Sequence, residues 1–123
     1  MSYNDFSEMP VWQLALGVVT EVYNLTDTLP QKEDYALCSQ LRRAVTSTTG
    51  NIAEAFGRGH PKDKINFYCF SRGSAYEVKG HLLAGMAVVY FSPEQTSTLL
   101  QHLDQIIAAL NSIIKSLRIT SQT

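Results

Sequence analysis

Three histidines, two cysteines and a set of arginines among carboxylates are the residues of this chain that could do chemistry. His60, His81 and His102 are the candidate metal ligands. A di-iron site in a helical bundle needs carboxylates with Glu-x-x-His pairs. None of these histidines lies three residues after a glutamate. Glu77 and His81 are four apart, which reads as a surface contact on a helix. Cys38 and Cys69 have no C-x-x-C spacing and read as two buried thiols in a reducing cytoplasm. In "GRGHPKDK" the glycines and lysines are out of register for a phosphate loop, and no G-x-S-x-G elbow occurs. Glu54 and Glu77 are left as a carboxylate pair for acid–base work. The expectation is no catalytic residue, no metal and no cofactor.

The remaining polar chemistry sits in "SQLRRAVTSTTGNIAEAFGRG", Ser39 to Gly59, and just after it. From Ala36 to Gly80 there are seven bases, Arg42, Arg43, Arg58, Lys62, Lys64, Arg72 and Lys79. Glu54, Asp63 and Glu77 oppose them, leaving +4, while the rest of the chain carries three bases against eight acids. A net charge of -1 thus hides a basic middle, and basic regions suit anionic partners. Arg42, Arg43, Arg58, Lys62, Lys64 and Arg72 are the candidate nucleic-acid contacts.

These residues must ride on helices. The chain has 123 residues, enough for one domain with one core, and is 45% hydrophobic and 17% charged, as a globular protein is. No window reaches the roughly 20 apolar residues of a membrane span. "MSYNDFSEMP" lacks the basic-then-apolar pattern of a secretory signal, so a cytoplasmic location is expected. Val11, Ala15, Val18, Val22 and Leu25 step by four and three, predicting a helix over 10–26 with Pro10 in its first turn. Leu41, Val45, Thr48, Ile52 and Ala55 predict a second over 35–57. Gly57 and Gly59 can end it in left-handed conformations. A third is expected over 61–90, and "FSPEQ" then offers Ser92 as N-cap, Pro93 as first residue and Gln95 for a capping box. Leu100, Leu103, Ile107, Leu110, Ile114 and Leu117 carry the fourth, 93–118. No stretch alternates like a strand. The fold class is all-α, an antiparallel up-down-up-down four-helix bundle forming a single domain.

A tight connection near Gly59 makes helices 2 and 3 face each other in reverse order. That sets Glu54 near Lys64 and Glu77 near Arg42, several turns apart. An ion pair from Glu77 to Arg42 or Arg43 is expected, with the other arginine facing out. Arg58 can bond back to Glu54, and Asn51, a poor helix former, needs a specific partner. Gly50, Gly73 and Ser74 lack bulk and would let two backbones approach. Arg43, Asn51, Glu54, Ser74 and Glu77 form the expected structural polar network. Stripes wider than a core needs leave Trp12, Tyr23 and Ile113 for an oligomer interface.

The pieces "VWQ" (Val11–Gln13), "SQLRRA" (Ser39–Ala44), "NIAE" (Asn51–Glu54), "GRG" (Gly57–Gly59) and the "GS" before Glu77 carry a resemblance. From about Phe6 to Leu117 the chain resembles the bacterial four-helix-bundle proteins encoded in intervening sequences of 23S ribosomal RNA genes. Ala55 departs from the glycine usual there, and Gly50 from a common alanine. The chain is also similar to the accessory variability determinant of diversity-generating retroelements, which binds nucleic acid and a reverse transcriptase. The resemblance implies a homopentameric ring without enzymatic activity. The expected function is a non-enzymatic, oligomeric scaffold that binds RNA or DNA. The rivals are a protein-binding adaptor ring that docks a partner such as a polymerase, and a small enzyme with an unrecognised site.

Overall fold

Pro10 opens the first helix, α1 (Pro10–Thr26), where its missing N–H leaves no donor unpaired. The structure, a computed structural model, describes residues 2–121. α2 spans Leu37–Gly57, α3 Pro61–Ala87 and α4 Pro93–Ser121, with short 3-10 turns at Phe6–Glu8 and Gln31–Glu33. No strand occurs among the described residues. The chain is an all-α four-helix bundle.

Cross-helix bonds fix the topology. Ser47 meets Ser74, Thr48 meets Ser71, and the Ala55 carbonyl meets Lys64, so α2 and α3 run in opposite directions. Arg72 to Asn111 and Lys79 to Asp104 do the same for α3 and α4. α1 packs on α2 and α4 but not on α3, so α1 and α3 stand at diagonal corners. Leu41, Ile52, Leu82, Leu103, Ile106, Leu110 and Ile114 fill the centre at under 2% exposure. No buried side-chain nitrogen or oxygen among the described residues lacks a partner. Ser71 Oγ donates to the Thr48 carbonyl at 2.7 Å, and Thr48 Oγ1 to Ala44 at 3.0 Å.

The helix ends show what the pattern alone misplaces. α2 begins at Leu37, not Tyr35, because Ala36 is non-helical (φ -121°, ψ -108°) and the Glu33 carboxylate accepts the Leu37 N–H. Neither Gly57 nor Gly59 takes a left-handed conformation: α2 stops because Arg58 is extended, and Pro61 then starts α3. α3 ends at Ala87 rather than Tyr90, since Val89 sits at φ 65°, a position disfavoured for a β-branched residue. Tyr90 and Phe91 both donate to the Gly85 carbonyl, and a Cβ on Gly85 would collide with the buried Phe91 ring. The α4 capping box forms as expected, Ser92 N–H to Gln95 Oε1 at 2.8 Å and Gln95 N–H to Ser92 Oγ at 3.2 Å. α4 runs three residues past the expected 118, to Ser121.

Val89 is 85% exposed, so its side chain adds little packing there. Left-handed backbone costs a β-branched residue about 1–3 kcal/mol, and Gly relieves it. Val89→Gly should raise the unfolding free energy by about 1 kcal/mol, read from the urea midpoint at constant m-value.

Candidate nucleic-acid interface

The expected tie between Glu77 and an arginine does not form. Glu77 reaches His81 one turn on, at 3.4 Å, and Arg42 turns the other way. Arg42 donates from Nε to Thr26 at 2.9 Å, from Nη2 to Asp27 at 2.7 Å, and lies over the Tyr23 ring. The reversed order of α2 and α3 is right; the rotation of α2 is what differs, aiming Arg42 at α1. Arg43 is exposed, with no ion-pair partner among the described residues. The polar network accordingly separates into local contacts. Asn51 donates to the Ser47 carbonyl and Oγ, and Ser74 donates to the same Ser47 Oγ at 3.0 Å. Glu54 pairs with Arg58 at 2.7 Å, as expected for that spacing. Gly50 and Gly73 do not bring α2 and α3 together: both are exposed, and nothing stands within 4 Å of an added Cβ.

The basic middle of the sequence is not one patch in space. Arg42 lies in the α1–α2 groove, while Arg72 bonds Asn111 at 2.9 Å across the α3–α4 groove on the opposite side. Lys79 is paired with Asp104 at 2.7 Å. Lys64 is turned inward, donating to the Ala55 and Phe56 carbonyls that end α2, where a cation is favoured. Acids from the flanking helices neutralise what looks basic in order of residue.

Cations do gather at one end of the bundle, where α2 and α4 finish and α3 begins. Arg58, Lys62 and Lys64 come from the α2–α3 connection, and Lys115 and Arg118 from the last turns of α4. Asp5, Glu8, Glu54 and Asp63 share that end, and Asp5 and Glu8 are engaged in a capping box around their own 3-10 turn. A hydroxyl bond from Ser7 holds the Asp5 carboxyl below its ordinary value. The other end has five Lys and Arg, Arg72 included, against seven Asp and Glu, so the bundle is polar along its axis. Lys62, Lys115 and Arg118 are exposed and without an ion-pair partner among the described residues. Arg58 is 44% exposed at its side chain and stacks on Phe67. Lys115 and Arg118 are absent from the residues expected from the sequence, because only the antiparallel return of α4 brings them to the end of the bundle that carries Lys62.

A cleft of about 820 Å³ opens at the same end, walled by Met9, Val11, Phe56, Tyr68, Ile113 and Leu117. Burial pushes the Tyr68 phenol up, and its hydroxyl has the Met9 sulfur at 3.9 Å. No group of three or more potential metal ligands occurs among the described residues, and no helix there is long and apolar enough to cross a membrane. Cys38 is buried, and Cys69 is half-buried beside the Arg72 guanidinium rather than fully enclosed.

A crystal structure of a protein of unknown function from the S23 ribosomal protein family of Bacteroides thetaiotaomicron VPI-5482 is similar in fold. The TM-score is 0.79 at 26% identity, over 85% of this chain and 98% of that one. No curated protein matches the chain. Residues 7–112 match the family of the 23S rRNA-intervening sequence protein, across all four helices, and the chain belongs to that family.

Proposed function

We propose that this protein is a non-enzymatic, homo-oligomeric scaffold that binds RNA through the cationic end of its bundle. The observation that carries this reading is that Lys62, Lys115 and Arg118, exposed and without an ion-pair partner among the described residues, share one end of the bundle with Arg58. Such side chains neutralise phosphates without reading sequence. The family's tie to 23S ribosomal RNA genes favours RNA over DNA, and a cytoplasmic site of action follows from that partner. One chain offers little: five cations against four carboxylates at that end. A closed ring with its axis along the bundles presents every copy of this end on one face, and repeated weak sites gain avidity. The resemblance favours five copies, and a reverse transcriptase as a further partner by analogy with the retroelement determinant.

Titration of a fluorescent structured RNA with the parent protein at low salt tests the reading. Saturable binding supports it. Absence of binding rejects it in favour of a ring that docks a protein only.

A further inference from the structure

An exposed glycine inside a helix leaves open room that a side chain from outside the chain can fill. Gly17 on α1 and Gly73 and Gly80 on α3 lie in helix interiors, are exposed, and meet nothing within 4 Å of an added Cβ. Glycine weakens a helix relative to alanine, and no backbone of this chain approaches these positions. Large apolar side chains stand beside them. On α1 they are Leu16 at 46% exposure and Tyr23 at 38%; on α3, Phe70 at 56%, Tyr76 at 54% and Leu83 at 52%. Of the side chains expected to be left over, Trp12 and Ile113 are instead half-buried against the core, with Phe6 edge-on to Trp12 at 5.1 Å.

The two faces fit each other. Leu16 and Tyr23 project seven residues apart, and Gly73 and Gly80 leave hollows seven residues apart. Both spacings are about 10.5 Å along a helix. Contacts through the other helices bracket the relative heights. Through α2, Thr26–Arg42 and Ser47–Ser74 set Leu16 level with Cys69 and Tyr23 with Tyr76. Through α4, Glu21–His102 and Lys79–Asp104 set them level with Tyr76 and Leu83. The middle of each span falls beside Gly73 and Gly80. α1 and α3 run parallel, as both are antiparallel to α2.

Resting on the homo-oligomer reading, we infer that the outer face of α1 docks on the outer face of α3 of a second copy, Leu16 and Tyr23 entering the Gly73 and Gly80 hollows. The faces lie at diagonal corners, so within one chain they cannot meet. The contact is head-to-tail, every copy uses both faces, and closure gives a ring with parallel bundle axes.

Leu16→Arg blocks only the α1 face, and Gly73→Arg only the α3 face. Each variant alone should keep its helical circular dichroism and run as a monomer by light scattering at micromolar concentration. Mixed in equal amounts, they retain one intact pair of faces and should form a dimer, twice the 13.7 kDa chain mass, and stop there. Gly80→Arg replaces Gly73→Arg if the latter fails to fold. Variants that assemble like the parent, or monomers that do not combine on mixing, overturn the docking faces while an oligomeric parent leaves the scaffold reading standing. A monomeric parent overturns both.

Discussion

Leu103→Ala is expected to lower the unfolding free energy by about 2–5 kcal/mol, the range for emptying a buried leucine site that only partly collapses. Leu103 is fully buried in the core cluster, on the helix that packs against both α1 and α3. Its neighbours along α4, Ile106, Ile107 and Leu110, are themselves buried and cannot swing into the gap without leaving the core. Urea denaturation at fixed protein concentration, read by far-UV circular dichroism, measures the change as a shift in midpoint at unchanged m-value. The same substitution at Leu16, on the outer face, removes no intrachain core contact. Under matched conditions any loss there should depend on protein concentration, because it acts through association.

Lys62→Glu, Lys115→Glu and Arg118→Glu made together should lower RNA affinity by about 10³-fold or more, since each copy exchanges three phosphate contacts for three repulsions. All three side chains are exposed and outside any ion pair among the described residues, so the bundle should keep its fold and its oligomeric state. Lys64 is left in place because it closes the end of α2 through the Ala55 and Phe56 carbonyls. Lys32→Glu is the matched control: it reverses an exposed cation outside any ion pair among the described residues, at the opposite end of the bundle, and RNA affinity should change far less. Fluorescence titration of the same RNA, with light scattering to confirm assembly, reads both.

The fold was legible because each signal behind it is local. Pro10, Pro61 and Pro93 each stand at a helix start, and Ser92 with Gln95 builds the expected cap. Where one helix meets another, the pattern carried less. The order of facing residues on α2 and α3 could be read from their connection, but not the rotation that sends Arg42 to Asp27 and leaves Glu77 with His81. The candidate site blurred for a related reason. Charges summed along a segment ignore the acids that neighbouring helices bring beside it, such as Asp27 and Asp104. They also ignore cations such as Lys115 and Arg118 that return from a distant part of the chain. α3 hid its outer face because its apolar residues point nearly all round, Tyr68 and Leu82 inward, Phe70, Tyr76 and Leu83 outward. Periodicity cannot divide such a helix into core and surface.

The central claim, that the cationic end holds RNA by its phosphates, is tested most directly by the slope of log affinity against log salt for the parent oligomer and a structured RNA. A ring that engages about six to ten phosphates should lose about 10³–10⁵ in affinity between about 50 and 200 mM monovalent salt. Binding that is unchanged across that range, or absent at its lower end, would contradict the account.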